Sequence, residues 1–189
     1  MKTPPSLMAL ALVASLCACA SSARRSGTGG QAGRDPKLAH ELTLQALEVI
    51  DDDAPAAEEL LHAALAADAY DGPAHNNLGV LYLRQARLYE AATEFEQARK
   101  LMPGNPDPRL NQGLTLERAG LYERAFDAYE AALEVSPAHI RAIQAIARLT
   151  LRTGQKSDRL LGLLEDITLR GETNAWRIWA QDQMTRLRL

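Results

Sequence analysis

Two stretches of the sequence decide the fold: residues 77–92, NLGVLYLRQARLYEAA, and residues 111–126, NQGLTLERAGLYERAF. When one is laid over the other with a shift of 34 residues, small, aromatic and proline positions stay in register. The matching pairs are Gly79 and Gly113, Ala91 and Ala125, Phe95 and Tyr129, Ala98 and Ala132, and Pro103 and Pro137. A fixed period of this length is typical of stacked helical units, because a single unit cannot bury its own apolar face.

The composition favours helices over strands. Alanine (33) and leucine (30) make up a third of the 189 residues, whereas valine (4) and isoleucine (6) are scarce. Alanine and leucine are strong helix formers, and β-branched residues favour strands. Aromatic residues are only 5% of the chain, which argues against a large aromatic-lined ligand pocket. The composition therefore predicts an all-α fold.

The residue types at the repeated positions have a physical reason. Gly79 and Gly113 let the two antiparallel helices of a unit approach closely, and we expect the rings of Phe95 and Tyr129 to fill the space between units. Proline ends the second helix of each central unit, because it cannot continue a helix. Each unit is therefore predicted to be a helix–turn–helix.

Both quoted stretches resemble the core of a tetratricopeptide repeat. The resemblance implies a right-handed α-solenoid with units at residues 38–71, 72–105, 106–139 and 140–173, of which the two central ones match clearly and the two outer ones diverge. A basic residue recurs in three units, at Arg84, Arg118 and Arg152. A C-terminal helix after residue 173 would cap the stack, since terminal repeats need a polar outer face.

The outer units depart from the pattern in different ways. The first lacks the glycine and has an acidic turn at residues 51–53, which we interpret as a helix N-cap rather than a cation site. It keeps a set of apolar positions in phase: Leu44, Ala57, Leu61, Ala64 and Leu65. The fourth has Arg159 and Asp166 where alanines belong. A slip of one residue would turn Leu160, Leu164 and Ile167 inward instead.

The last helix has an N-cap at Thr173 or Asn174. Its apolar residues lie roughly on one side: Trp176, Trp179, Ala180 and Leu187. The plainer interpretation is that the two tryptophans cover the last repeat. The alternative is an anchor for a partner protein.

The N-terminal residues read as an export signal. One charge, Lys2, precedes an apolar run at residues 7–16, which is shorter than the ~20 residues that a membrane-spanning helix needs. The following residues, 16–19, resemble a bacterial lipobox, which implies cleavage after Ala18 and a lipid on Cys19. Ala20 after that cysteine favours the outer membrane of a Gram-negative cell, facing the periplasm. The alternative is a secretory signal cut near Ala18 or Ala20, which would release a soluble periplasmic protein.

The predicted organisation has four segments. Residues 1–18 are the lipoprotein signal peptide, 19–36 a Gly/Ser-rich tether, 37–173 the solenoid and 174–189 the capping helix. Cys17 and Cys19 are the only cysteines, so the folded body has no disulfide and no thiolate ligand.

The sequence predicts no catalytic residues, no metal site and no cofactor. The four histidines lack metal-ligand spacing, and the tether glycines do not follow a strand. Nucleic acid is an unfavoured partner, because residues 38–138 carry 7 basic and 18 acidic side chains. Residues 139–189 carry 9 and 5, so the charge is unevenly distributed along the chain.

The resemblance implies a ligand groove lined by the first helix of each unit. The positions carried over are Asn76, Val80, Leu83 and Arg84, then Asp107, Leu110, Leu114, Glu117 and Arg118, then Arg141, Gln144, Arg148, Leu151 and Arg152. The candidate binding residues are these positions without Asp107, Glu117, Arg141 and Gln144. The apolar floor and arginine row suit a peptide with acidic or terminal carboxylate groups, unless the arginines are merely solvated. The chaperone-tail subgroup is disfavoured, because Asn76 and Val80 stand where it has lysine and asparagine.

These expectations combine into one function. The chain is predicted to be a lipid-anchored, non-catalytic adaptor that docks an envelope protein in its groove and helps to assemble or position a complex, as pilotins and cell-wall scaffolds do. A self-associating structural lipoprotein and a non-catalytic subunit of an envelope enzyme complex are the alternatives.

Overall fold

The computed structural model describes residues 34–154 and 159–187, and this part of the chain contains nine α-helices and no strand. It falls into two compact units, one ending at Ala69 and one beginning at Tyr70. The predicted all-α fold of helix–turn–helix repeats is confirmed. The helices are α1 Pro36–Val49, α2 Ala54–Ala67, α3 Gly72–Arg84, α4 Leu88–Leu101, α5 Asp107–Arg118, α6 Tyr122–Val135, α7 Ile140–Thr153, α8 Leu160–Arg170 and α9 Asn174–Leu187.

The first three helices begin at a capping aspartate. Asp35, Asp53 and Asp71 each accept a hydrogen bond from the backbone N–H three residues later, at 3.0, 3.0 and 2.8 Å. A proline in the first turn follows each of them, where its missing N–H costs nothing. The interpretation of residues 51–53 as a capped turn is therefore confirmed.

The turns after α3 and α5 have one geometry. Arg87 N–H donates to the Tyr82 carbonyl and Leu121 N–H to the Leu116 carbonyl, both at 2.9 Å, which is the long hydrogen bond of a Schellman motif. The residue before each donor is left-handed: Gly120 has φ of 77° and Ala86 has φ of 60°. Only glycine takes this conformation without strain, so Ala86 departs from what its turn requires.

The rings at the repeated aromatic positions pack inside their own units. A Cβ added to Gly79 would lie 2.6 Å from Cε1 of Phe95, and one added to Gly113 would lie 2.4 Å from Cε1 of Tyr129. Both rings are fully buried. Each ring therefore lies on the glycine that brings the two helices of its own unit together, and Tyr129 also belongs to the core cluster that includes residues of α7 and α8.

In the first repeat, the buried positions of α2 are those predicted from the 34-residue period, whereas those of α1 are not. Ala57, Leu61 and Ala64 are fully buried, but Leu44 is 48% exposed. Helix α1 instead buries Ala39, Leu42, Thr43 and Ala46. The turn from α1 to α2 has four residues, one more than the turns after α3 and α5. Because one residue rotates an α-helix by about 100°, this extra residue moves Leu44 off the buried face.

In α8, the predicted shift of the buried positions by one residue is confirmed. Leu160, Leu164 and Ile167 are buried, whereas the Arg159 side chain is 63% exposed. On α9, Ala180 is fully buried, and Trp176 and Trp179 pack against the same core cluster. Leu187, grouped with them on one side of the helix by the sequence, is 47% exposed. Thr173 caps the helix by accepting a hydrogen bond from Trp176 N–H at 3.3 Å.

The predicted signal peptide, the cleavage site, Cys19 and most of the tether lie outside the described residues. Within residues 34–154 and 159–187, no helix combines the length and the apolar character needed to cross a membrane. The bounds of the four predicted segments stay predictions.

A candidate protein-interaction face

In the unit that begins at Tyr70, the first helices of successive repeats lie side by side. Helix α5 contacts both α3 and α7, and each of these helices also packs against the second helix of its own repeat. We call the side formed by α3, α5 and α7 the first-helix face. It carries all of the groove positions predicted from the sequence, and burial divides those positions into two sets.

The apolar positions are not equally accessible. Leu83 and Leu110 are 7% and 1% exposed, so they form part of the core and offer little surface to a ligand. Val80, Leu114 and Leu151 are half-buried and do offer apolar surface. The apolar floor expected from five residues is therefore reduced to three in this conformation.

The arginine row joins neighbouring repeats. Arg118 Nη1 donates to the Leu83 carbonyl oxygen at 2.6 Å, which satisfies one of the last carbonyls of α3. Arg152 Nη1 lies 3.1 Å from Glu117 Oε1, and its guanidinium stacks 4.5 Å from the Tyr122 ring centroid. Both arginines thus have structural partners in the preceding repeat, and neither is merely solvated.

Glu117 is the centre of this junction, although the sequence placed it only among the groove positions and not among the candidate binding residues. Its side chain is 7% exposed, and Oε2 accepts a hydrogen bond from the Tyr129 hydroxyl at 2.6 Å and from Arg148 Nη2 at 3.0 Å. Burial raises the pKa of Tyr129 far above its usual value, and the hydrogen bond to Glu117 raises it further. A buried carboxylate with three donors is a satisfied structural group rather than a reactive one.

Asn111 also connects two repeats. Its Nδ2 donates to Asn76 Oδ1 at 3.0 Å, and its own carbonyl accepts from the Thr115 hydroxyl at 2.8 Å. This bond engages the Asn76 side-chain oxygen, so Asn76 helps to hold α3 against α5. Its place among the candidate binding residues stays a prediction.

Helix α7 contributes a second set of polar residues to the face. Arg141 and Arg148 are 49% and 41% exposed at the side chain, and Gln144 lies between them with 4% of its surface exposed. Arg141 Nη1 lies 3.9 Å from Asp107 Oδ1, and His139 Nε2 lies 3.3 Å from the same oxygen. The Nε2 of Gln144 has no hydrogen-bond partner in the described part of the chain.

The described residues contain no group of three or more His, Cys, Asp or Glu side chains placed to hold a metal ion. A surface cavity of about 440 Å³ is lined by residues of α6, α7 and α8 that include Leu133, Ile143 and Leu163, and none of its lining residues is a predicted groove position. What the first-helix face offers is a row of guanidinium groups beside three half-buried apolar side chains.

Comparison with known proteins identifies the repeats. Residues 72–105 match one family model of the tetratricopeptide repeat, and residues 107–139 match another. This part of the chain consists of tetratricopeptide repeats. The matched ranges coincide with α3–α4 and α5–α6, the two repeats that the sequence pattern defines best.

Several solved structures of tetratricopeptide-repeat domains resemble this chain. The first tetratricopeptide-repeat domain of Spaghetti (RPAP3), bound to the HSP90 peptide SRMEEVD, is 17% identical over 66% of this chain and 100% of that chain, with a TM-score of 0.62. A crystal structure of MamA is 22% identical over 75% and 77%, with a TM-score of 0.61. These two likenesses, at 17% and 22% identity, show the fold.

A third similar structure belongs to an enzyme. A mutant of the Thermobaculum terrenum O-GlcNAc transferase is 25% identical over 72% of this chain, with a TM-score of 0.65, but the match covers only 27% of that chain. The similarity is therefore confined to a minor part of the transferase. No match was found among curated protein sequences.

Proposed function

We propose that this tetratricopeptide-repeat chain is a non-catalytic adaptor of the cell envelope. A lipid on Cys19 would anchor it in the outer membrane, facing the periplasm, and its first-helix face would bind a segment of an envelope protein. The adaptor would thereby help to assemble or position a complex, as pilotins and cell-wall scaffolds do. The likeness to a domain bound to a peptide supports the binding role.

One observation carries the binding role. The first-helix face combines half-buried Val80, Leu114 and Leu151 with arginines whose side chains are about half exposed, such as Arg148 and Arg152 at 41% and 46%. Apolar surface supplies affinity, and guanidinium groups supply orientation toward carboxylates or carbonyl oxygens. Such a face suits a polypeptide better than it suits a small molecule, for which an enclosed pocket would be expected.

The test of binding is capture of partners from envelope extracts of producing cells. Leu114→Glu places a charge on the face, and Leu169→Glu is the matched control, because Leu169 is 77% exposed on α8. We expect Leu114→Glu to lose the captured partners while the control retains them, with circular dichroism showing that both variants are folded. Equal capture by both variants would exclude the face.

The lipid anchor is tested separately. Cys19→Ser should move the chain from the membrane fraction to the soluble fraction, because three acyl chains bind a membrane durably and one alone only marginally. Retention of the variant in the membrane would show that something other than the lipid holds the chain there.

Self-association is an outcome of the same experiments. If the captured partner is the chain itself, light scattering of the purified chain will give a mass above that of one copy, 20.6 kDa. The adaptor proposal requires a different protein among the captured partners.

A further inference from the structure

Resting on the proposed adaptor role, we propose that Arg141, Gln144 and Arg148, the α7 stripe, form a binding site for acidic side chains in an internal segment of the partner. The stripe differs from the row of Arg84, Arg118 and Arg152. It departs from the repeat in sequence, and it contains a buried amide nitrogen without a partner among the described residues.

The repeat pattern does not account for the α7 stripe. One period earlier, the equivalent positions of α5 hold Asp107, Leu110 and Leu114. Leu110 is buried in the core there, which shows that an apolar residue at that position satisfies the packing of the repeat. The spacings of three and four residues place the α7 stripe on one side of its helix. The fourth repeat therefore carries polar side chains, Gln144 and Arg148, at two positions that the preceding repeat fills with leucines.

The charges around the α7 stripe do not balance. Four guanidinium groups, of Arg118, Arg141, Arg148 and Arg152, meet two carboxylates, those of Asp107 and Glu117, on the described parts of α5 and α7 that form the face. Arg118 is tied to a neutral carbonyl, and Arg148 and Arg152 share one carboxylate. This part of the face is therefore positive within a chain whose net charge is -3, which favours an anionic partner.

Gln144 points to a polypeptide as that partner. The residue is 96% buried, and its Nε2 donates to no acceptor among the described residues. A buried donor without an acceptor is destabilising, and native proteins rarely keep one. In the free chain Gln144 offers little surface, as Leu83 and Leu110 do, so its part in the site requires that binding reorients the side chain and lets Nε2 donate to a backbone carbonyl of the bound segment. No groove position is aromatic, so nucleic acid bases would find no ring on which to stack.

The spacing sets the ligand pattern. Arg141 and Arg148 are seven residues apart on α7, which corresponds to about 10 Å along the helix. In a peptide with the polyproline II conformation, which has three residues per turn, side chains three residues apart lie on the same side and are separated by about 9 Å. Two acidic side chains at that spacing can meet both guanidinium groups, so a free terminal carboxylate is not required.

The test uses the purified full chain in detergent and fluorescence anisotropy. The probe is a labelled, C-terminally amidated peptide, GSLEELEEGS, and its neutral counterpart is GSLQQLQQGS. We expect the acidic peptide to bind at least tenfold more tightly than the neutral one at low salt, with the difference shrinking as salt is added. Arg141→Gln and Arg148→Gln should each weaken binding at least threefold. Arg186→Gln is the matched control, because Arg186 is exposed on α9.

Several results would overturn the inference. They are equal binding of the two peptides, no effect of the α7 substitutions, and binding of a labelled ten-residue oligothymidine in place of the acidic peptide. A charge reversal gives an independent check. Arg148→Glu should weaken binding of the acidic peptide and strengthen binding of its lysine counterpart, GSLKKLKKGS. The capture experiment separates the two proposals. If Leu114→Glu loses the captured partners but Arg141→Gln and Arg148→Gln retain them, the adaptor role is supported and the binding site for acidic side chains is excluded.

Discussion

Replacing Tyr129 with phenylalanine tests the junction between the third and fourth repeats. The Tyr129 ring is fully buried on Gly113, and its hydroxyl donates to Glu117 Oε2 at 2.6 Å. Phenylalanine keeps the ring and removes only the donor. Glu117 then retains Arg148 and Arg152, so no buried charge is left alone. The substitution therefore isolates one charge-assisted hydrogen bond.

The expected loss of stability is about 1.5 kcal/mol. Hydrogen bonds to charged groups contribute about 1.5–3 kcal/mol, and the lower end applies because phenylalanine also avoids the cost of burying a hydroxyl. Removing the acceptor is worse. Glu117→Ala leaves the Tyr129 hydroxyl without its partner, and we expect a loss of about 2–4 kcal/mol. In the Glu117→Ala background, Tyr129→Phe should cost nothing or restore stability, and this non-additivity measures the bond itself.

The same bond makes a prediction about pH. The folded pKa of Tyr129 is raised far above its unfolded value, so the folded state keeps the proton that the unfolded chain loses near pH 10. Its contribution is fully present below pH 10 and is lost as the pH rises further. At pH 10.5 the loss is about 0.8 kcal/mol, since one pKa unit corresponds to about 1.4 kcal/mol. The stability advantage over Tyr129→Phe should shrink by that amount.

Urea unfolding followed by tryptophan fluorescence measures both effects. Trp176 and Trp179 pack against the core cluster that contains Tyr129, so they report on this junction. A loss of 1.5 kcal/mol moves the midpoint down by about 0.5–1 M urea. An unchanged midpoint at pH 8, or a gap between the two proteins that stays constant up to pH 10.5, would refute the bond between Tyr129 and Glu117.

Two further predictions concern single residues of the repeat. Ala86→Gly should stabilise the chain by about 0.5–1 kcal/mol, because glycine relieves the strain of the left-handed backbone at φ 60°, although its greater freedom in the unfolded chain offsets part of that gain. Gly120→Ala at the equivalent turn should destabilise the chain. If the two substitutions shift the thermal midpoint in the same direction, the reasoning is contradicted. Gly113→Ala should cost about 1–3 kcal/mol in urea unfolding, because its Cβ would lie 2.4 Å from the Tyr129 ring; full stability of this variant would show that the ring can move.

The sequence predicts the fold well at positions that make the same packing contact or adopt the same backbone conformation in each repeat. The glycine under the ring, the buried alanines and the positive-φ turn recur at intervals of 34 residues, and the structure places them as packing requires. Prediction fails where a turn changes length. One extra residue between α1 and α2 exposes Leu44. The one-residue shift in α8 could be predicted, because the apolar residues Leu160 and Ile167 stand one residue after the positions of the missing alanines.

The candidate site is harder to predict, because a residue's position in a repeat does not show how deeply it is buried or which neighbouring groups its side chain bonds to. Leu83 and Leu110 fit the groove by register but are buried. Arg148 fits it as well, yet part of its charge is taken by Glu117. The available signal was that a glutamate, Glu117, stands where the preceding repeat has a leucine. A charge at such a position calls for partners, and two arginines follow 31 and 35 residues later.

The bonds between neighbouring repeats follow a rule that explains the arginine row. Three pairs are 35 residues apart, one more than the period: Asn76 with Asn111, Leu83 with Arg118, and Glu117 with Arg152. Arg118 and Arg152 occupy the same position and reach back by the same distance along the sequence. They find different partners because Leu83 offers only a backbone carbonyl, whereas Glu117 offers a carboxylate. Arg118 and Arg152 therefore hold neighbouring repeats together, and Arg148, which also bonds Glu117 but has no arginine counterpart in the two preceding repeats, is the arginine that the repeat pattern does not explain.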